Sequence, residues 1–132
     1  MFEDLKTIVI GGKEFPYKCD ICVLEKIQEE FGNLTVFEKK LLGINEGEDK
    51  ATSLPDVKAV SCALYWMIRE GVEIQAEENG KTAEMPSRKA LLRMVDQPFY
   101  TLTTTLYEEF SRCFISKNQK TAQEKQEENQ NP

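Results

Sequence analysis

The chain of 132 residues contains no histidine. Histidine is the side chain whose unperturbed pKa lies closest to neutral pH, and it is the usual general base and the usual transition-metal ligand in proteins. Its absence disfavours enzymatic chemistry. We therefore expect a protein that is not an enzyme, with no catalytic residue, no cofactor and no metal.

Positive charge and long apolar runs are also scarce. The 17 Lys and Arg residues are outnumbered by 23 Asp and Glu, which gives a net charge of −6. A protein that binds duplex nucleic acid needs a dense cationic face, so we expect no nucleic-acid partner. The longest nearly apolar stretch, Ala59–Ile68, covers 10 residues, whereas crossing a bilayer takes about 20.

No targeting segment is recognisable at the start of the sequence. Residues 1–4 include two acids and lack the basic start and apolar run of a signal peptide. We therefore expect a cytoplasmic protein with no membrane partner. Its four cysteines should be reduced thiols, because nothing in the sequence indicates an oxidising compartment.

Apolar residues are nevertheless frequent enough to form a core. They make up 40% of the chain and include 7 Phe, 4 Tyr and 1 Trp, which suits one domain of ordinary size. We assign this domain to residues 1–116. Residues 117–132 contain one alanine and no other apolar side chain, so we expect a disordered polar tail.

The first twenty residues predict a β-hairpin. Leu5–Ile10 and Phe15–Cys19 are the candidate strands, and the intervening residues 11–14 begin with two glycines. Adjacent glycines supply the positive φ angles of a tight turn. Pro16 cannot donate a hydrogen bond to a ladder, so its strand should lie at an edge.

Two helices are predicted to follow the hairpin. Asp20 can cap the first helix through its side-chain oxygen, and Gly32 can end it in a left-handed conformation. Asn33 or Thr35 can open a second, shorter helix that closes at Gly43. Residues 44–53 are polar and have the composition of a loop.

A third helix is predicted to begin near Ser53, as its cap, with Pro55 in its first turn, and to end at Gly71. Its second half is apolar nearly all round, which indicates a helix that is central to the fold or covered by another element. Residues 72–77 alternate in polarity and permit a weak strand.

Two more helices complete the predicted fold. Ser87 should cap the fourth helix, and Pro98 should open a fifth that runs to about Ser116. The sequence thus predicts an α+β protein that is mainly α-helical, with about five helices and a short N-terminal β-hairpin.

Cys19 and Cys22 form a CxxC motif at the predicted start of the first helix. A redox interpretation places a thiolate with a lowered pKa there, and a zinc interpretation needs a second close pair of ligands. Cys62 and Cys113 lie far apart in the sequence and no histidine can substitute for them. We favour structural, half-buried cysteines.

The acidic residues do not form a recognisable catalytic pattern. Four pairs of glutamates are adjacent in sequence, and neighbours on a helix point in different directions, so a solvated charged face is the favoured interpretation. The Gly11-Gly12 pair belongs to no phosphate-binding motif.

Aromatic side chains are the strongest positive signal for function. Tyr65 and Trp66 are neighbours on the third helix, and Tyr100, Tyr107 and Phe114 recur at seven-residue intervals on the fifth. They exceed what one helix face usually presents to a core. Either both helices are packed on two sides, or these five residues form a surface for partner binding or self-association.

The segment IVIGGKEFPYKCDICVLEKIQEEFGNL, Ile8–Leu34, resembles the start of the tail assembly chaperones of long-tailed (siphovirus-type) bacteriophages and prophages. A hairpin with a GGKE turn leads directly into a helix with a Leu24-Glu25 pair and a Phe31-Gly32 end. A series of helices and a polar tail complete the resemblance.

The resemblance implies a non-enzymatic function. Such chaperones bind the tape measure protein, a very long helical and apolar chain, and keep it soluble until the tail tube protein polymerises around it. They often self-associate, and many are also made in a longer form by programmed ribosomal frameshifting. The resemblance implies activity in the cytoplasm of the bacterial host and absence from the mature virion.

Two alternative functions stay open on the sequence. One is a structural head–tail joining component of a phage, which would persist in the finished particle. The other is a small metal-dependent regulatory module that uses Cys19 and Cys22.

Overall fold

A computed structural model of the chain describes residues 5–115 and shows five helices and one two-stranded antiparallel sheet. The fold is therefore α+β and mainly helical, as predicted. The predicted tail at residues 117–132 lies outside the described residues. The elements are β1 Lys6–Ile10, β2 Lys13–Tyr17, α1 Ile21–Phe31, α2 Leu34–Leu42, α3 Val57–Glu78, α4 Arg88–Met94 and α5 Phe99–Arg112.

The hairpin closes through a two-residue turn. Gly11 and Gly12 have φ angles of 60° and 78°, and positive φ at both central residues is what this kind of turn requires. The shorter turn lets β2 begin at Lys13 and end at Tyr17, so the strand expected over Phe15–Cys19 is shifted towards the turn. Pro16 lies on an edge strand, as predicted.

Helices α1 and α2 begin and end at the predicted capping residues. The side-chain oxygens of Asp20 and Asn33 each accept a hydrogen bond from the backbone N–H three residues later, at 3.1 and 2.7 Å. Gly32 and Gly43 follow the two helices with φ angles of 83° and 75°. These local signals were sufficient because a cap depends only on neighbours in the sequence.

The predicted start of α3 is wrong. Asp56, not Ser53, is the N-cap, and its carboxylate accepts a hydrogen bond from the backbone N–H of Ala59 at 3.0 Å. Ser53 has other bonds: its hydroxyl donates to Asn45 and its backbone N–H donates to the Gly43 carbonyl, both at 3.0 Å. The loop therefore occupies the groups that a Ser53 cap would need.

The predicted end of α3 and the weak strand at residues 72–77 are also wrong, because the helix continues to Glu78. Gly71 lies within the helix, where β2 crosses it. A Cβ atom at this position would lie 2.5 Å from the carbonyl atoms of Pro16. Just after β2, the backbone N–H of Lys18 donates to the Met67 carbonyl of α3 at 3.0 Å. Gly71 thus permits a close approach of two backbones rather than ending the helix.

The last two helices begin as predicted. The Ser87 hydroxyl caps α4, and Pro98 precedes the first residue of α5. α5 ends at Arg112, before the predicted Ser116. Its threonines lower helix propensity, and three of their hydroxyls donate to the carbonyl four residues earlier, which satisfies their hydrogen bonds within the helix.

α3 is the central helix of the fold. It packs against β2 and against each of the other four helices, and nine of its residues are buried. This position explains why the second half of the helix is apolar nearly all round. Within residues 5–115, no helix combines the length and the apolar character that crossing a membrane would require.

Candidate protein-binding surfaces

The three aromatic residues predicted on α5, Tyr100, Tyr107 and Phe114, are here called the α5 aromatic row. Tyr100 is 60% exposed and Phe114 is 51% exposed, whereas Tyr107 is partly buried against the core. Phe114 keeps one contact with the interior, an edge-to-face packing on Phe110 with ring centroids 5.0 Å apart. The row therefore presents two large aromatic side chains to solvent.

The neighbouring face of α5 packs on the core. It buries Leu102, Leu106, Glu109 and Phe110. Because that face already supplies the packing that holds the helix, the exposed rings of Tyr100 and Phe114 are not required to close the core. Exposed aromatic side chains are typical anchors of protein interfaces.

A buried carboxylate holds α5 in place. Glu109, which is 2% exposed, accepts hydrogen bonds from the backbone N–H of Cys19 at 2.8 Å and from Arg112 at 2.7 Å. The ammonium group of Lys6 lies 3.2 Å from its other oxygen. One side chain thus joins β1, the start of α1 and α5.

The charge of Glu109 is stabilised where it is buried. Desolvation by burial works to raise its pKa, but the hydrogen bonds from Arg112 and from the Cys19 N–H outweigh this effect and bring the pKa below its ordinary value. The carboxylate is therefore ionised at neutral pH and the three elements stay joined.

The aromatic pair on α3 has a different environment. Tyr65 and Trp66 are partly buried, and their rings pack edge-to-face with centroids 4.9 Å apart. The side chains of Lys26 and Arg69 lie over the Trp66 ring at 5.3 and 5.4 Å, within the range of cation–π attraction. Cationic side chains therefore cover much of this pair.

The five aromatic residues singled out in the sequence thus fall into two groups. In the described residues, the ring of Trp66 contacts Tyr65, while Phe114 contacts Phe110 and neither ring of the α3 pair. The α5 aromatic row is the more open of the two groups. Sequence periodicity could not separate them, because it does not show which neighbours cover a ring.

A groove between α2 and the start of α3 was not predicted. It has a volume of 490 Å³, and the exposed side chains of Val36 and Leu54 line it together with Lys39 and Lys40. Leu54 is 68% exposed. The sequence offered one indication of this groove, which is an apolar residue, Leu54, directly after the polar loop of residues 44–53.

One wall of this groove is closely packed. Gly43 has a left-handed conformation, and a Cβ there would lie 2.1 Å from the carbonyl oxygen of Ser53. That close approach is fixed by the hydrogen bonds that Thr52 and Ser53 donate to the Gly43 carbonyl, at 3.2 and 3.0 Å. Hydrogen bonds within the loop thus shape one wall of the groove.

The two cysteines of the CxxC motif point to different environments. Cys19 is buried in the core and Cys22 is exposed. Burial raises the pKa of the Cys19 thiol, and the charge of Asp20 raises the pKa of the Cys22 thiol. A redox-active thiol at a helix start needs a lowered pKa, so the electrostatics oppose the redox interpretation.

Cys22 instead lies beside two carboxyl groups. Within residues 5–115, Asp20, Cys22 and Glu70 each bring one potential metal-ligand atom within 4.8 Å of the others. A hydrogen bond with Asp20, together with burial, raises the pKa of Glu70 to about 7. Cys19 takes no part in this group.

Comparisons of the chain with models of protein families, with curated protein sequences and with solved structures found no match.

Proposed function

We propose that this protein is a non-enzymatic tail assembly chaperone of a long-tailed phage or prophage. It binds the tape measure protein and keeps it soluble until the tail tube protein polymerises around it. The resemblance of Ile8–Leu34 to these chaperones suggests the family. The observation that carries the binding function is the α5 aromatic row, which exposes Tyr100 on α5 and Phe114 just beyond its end, while another face of the helix is buried.

The chemistry of the surface suits an amphipathic helical client. Aromatic rings on a rigid helix offer apolar area at a small entropic cost, and a client helix can place its apolar stripe against them. The α2–α3 groove offers a second apolar contact through Val36 and Leu54. The net charge of −6 opposes aggregation of the loaded complex through mutual repulsion.

Further properties belong to the same proposal. The chaperone acts in the cytoplasm of the bacterial host, self-associates, contacts the tail tube protein during assembly and is absent from the mature virion. Mass spectrometry of purified virions tests the last property. Recovery of the chain in stoichiometric amounts would favour a structural head–tail joining component instead.

Co-expression with the client tests the proposal directly. The full chain would be produced with the long helical reading frame that we expect downstream of its gene, and the soluble fraction of the client would be measured. The double variant Tyr100→Ser, Phe114→Ser should lose most of the soluble client. Val9→Ser is the matched control, because Val9 is 55% exposed on the hairpin, and it should retain the client.

The gene neighbourhood provides an independent test. A slippery run near the codons for Lys117–Lys125, an overlapping reading frame and then a very long helical reading frame would support the chaperone. An ordinary stop codon followed by metabolic or regulatory genes would contradict it.

A metal-dependent regulatory module is the second candidate, and the observation in its favour is the group of Asp20, Cys22 and Glu70. Addition of Co²⁺ to the reduced protein would test it through the thiolate-to-metal absorption band. Cys22→Ser should abolish that band and Cys62→Ser should leave it unchanged. Wild-type protein without the band would rule this candidate out.

A further inference from the structure

The α2–α3 groove combines exposed apolar side chains with two lysines. Val36 of α2 is 39% exposed and Leu54, shortly before α3, is 68% exposed, and both line the groove. Lys39 and Lys40, in the last turn of α2, line it as well. Apolar area and positive charge therefore lie together on a chain whose net charge is −6.

The ammonium groups of these two lysines are unpaired in the described part of the chain. Within residues 5–115, neither Lys39 nor Lys40 forms an ion pair. Lysines near a helix end can bond its last carbonyls, but backbone groups already do so here. The Lys39 carbonyl accepts from the N–H of Ile44 at 2.8 Å, and the Lys40 carbonyl accepts from the N–H of Asp56 at 2.9 Å. Both ammonium groups are therefore available to a ligand.

Two acidic residues, Glu46 and Asp56, also line the groove. The Asp56 carboxylate accepts the backbone N–H of Ala59 at 3.0 Å as the N-cap of α3, where the positive end of the helix stabilises its charge. Glu46 forms no ion pair with a lysine among the residues that the structure describes. Because Asp56 is engaged by the helix, the two unpaired lysines outnumber the one remaining acid.

This combination favours one kind of occupant. Carboxylates of a ligand can contact the lysines, while an apolar side chain covers Val36 and Leu54. A purely apolar segment would leave the ammonium groups without partners, and a basic segment would be repelled by them. The groove volume of 490 Å³ lies within the range of about 300–1,000 Å³ that is usual for ligand pockets, so a short segment suffices.

We propose that the α2–α3 groove binds a short acidic peptide segment of a partner protein, with an apolar side chain against Val36 and Leu54 and carboxylates facing Lys39 and Lys40. The inference rests on the proposed function, because it names the chemistry of the client segment that this groove takes. It concerns a different surface from the α5 aromatic row, since no residue of that row lines the groove.

Titration of the full chain with synthetic peptides tests this proposal. One short peptide would carry two leucines among glutamates, a second the same leucines among lysines, and a third serines in place of the leucines of the first. The acidic leucine peptide should bind about tenfold more tightly than either of the others. It should shift the NMR resonances of groove residues within 35–56. The net charge of −6 favours the basic peptide, so the opposite preference requires a local effect.

Charge reversal provides a matched control. Lys39→Glu combined with Lys40→Glu should weaken binding of the acidic leucine peptide by about tenfold, because two attractions become repulsions. Lys81→Glu combined with Lys89→Glu changes the net charge equally at exposed positions outside the groove and should leave binding unchanged. Leu54→Ser should weaken binding by about tenfold and, because Leu54 is 68% exposed, should leave the circular dichroism spectrum unchanged.

Three results would each overturn the proposal: no binding of the acidic leucine peptide to the folded protein at millimolar concentration, equal binding of the basic peptide, or equal losses in the two charge-reversed variants. Resonance shifts confined to α5 would overturn it too. The double variant Tyr100→Ser, Phe114→Ser should bind the peptide as the wild type does. A chain that fails the peptide test and still keeps the client soluble would retain the proposed function without this groove.

Discussion

The junction between the hairpin, α3 and the inner face of α5 is closed, whereas the α5 aromatic row is open to solvent. At the junction, β2 approaches α3 so closely at Gly71 that a methyl group would meet the backbone of Pro16. The carboxylate of Glu109, 2% exposed, has three partners there. Away from this junction, Tyr100 on α5 and Phe114 just beyond its end are 60% and 51% exposed.

This difference indicates that buried and exposed residues of the same region contribute differently to the stability of the fold. The inner face of α5 contributes to the stability of the fold, whereas the exposed rings of Tyr100 and Phe114 are available for the proposed binding. Substitutions in the two regions should therefore separate two measured quantities, the free energy of unfolding and the affinity for a partner. The largest effects on stability are expected at the junction.

Glu109→Ala should have the largest effect, a loss of about 3 kcal/mol from the free energy of unfolding, because it leaves the buried Cys19 N–H without an acceptor and removes the partner of Arg112. Urea unfolding at pH 7 would measure it. Glu108→Ala, at the exposed neighbouring position, is the matched control and should change stability by less than about 0.5 kcal/mol.

The effect of Glu109 should also depend on pH. Its pKa in the folded state is lower than the ordinary glutamate pKa of 4.5, so the ionised carboxylate contributes its full stabilisation above pH 4.5. The contribution is lost as the pH falls through the lower, folded-state pKa. The stability difference between wild type and Glu109→Ala should therefore shrink in strongly acidic solution, and a difference that grew there would contradict this account.

Gly71→Ala should destabilise the protein by about 2 kcal/mol. Alanine favours a helix over glycine by about 1 kcal/mol, but its Cβ would lie 2.5 Å from backbone atoms of Pro16, and crowding of this kind costs up to about 3 kcal/mol. Thermal unfolding of the variant would measure the net effect. An increase in stability would show that the hairpin can move away from α3.

Trp66→Ala should cost about 1.5 kcal/mol, less than a fully buried tryptophan, since its ring is only partly buried beneath Lys26 and Arg69. The matched comparison is Tyr100→Ala on the open row. If both variants unfolded at the same urea concentration, the distinction between the covered and the open aromatic group would be lost.

Glu70→Gln should have a smaller effect that depends on pH. The pKa of Glu70 in the folded wild-type protein is raised to about 7, from an ordinary glutamate pKa of 4.5, by its hydrogen bond with Asp20 and by burial. The native state therefore favours the protonated form, and the associated stability is present below pH 4.5 and lost as the pH rises through 7. The variant should match the wild type at pH 4 and have the higher unfolding temperature at pH 8.

Tyr100→Ser should have the smallest effect on stability, within about 0.5 kcal/mol, because its side chain is 60% exposed. Its effect on binding should be much larger if the α5 aromatic row is the client surface. Analytical ultracentrifugation and client capture would be measured on the same preparation. Full client binding and unchanged self-association would remove Tyr100 from the proposed surface.

Local features of this chain were predictable because their causes lie within a few residues. Asp20, Asn33 and Ser87 cap helices through a side chain that reaches a backbone N–H three positions later. Gly11 and Gly12 form the hairpin turn for the same kind of local reason. The class of the fold followed from these elements and from the apolar periodicity of the helices.

Features that depend on distant neighbours were not predictable in the same way. Glycine is typical of a helix end, so the sequence predicts that α3 stops at Gly71. Only the tertiary structure shows that Gly71 lies inside α3 and allows the backbone of β2 to pass close to the helix. Serine is a typical N-cap residue, but the hydroxyl of Ser53 donates to Asn45 and its backbone N–H donates to the Gly43 carbonyl. The α2–α3 groove went unpredicted because its walls come from separate segments of the chain.

The sequence by itself determined the mainly helical α+β fold, the hairpin turn, most helix ends and the surplus of aromatic side chains. The tertiary structure decided which of those side chains are covered, that α3 is central, and that Cys19 is buried while Cys22 is exposed. The physical reason is the range of the interactions. Caps and turns are settled by adjacent residues, whereas burial depends on elements that meet only when the chain has folded.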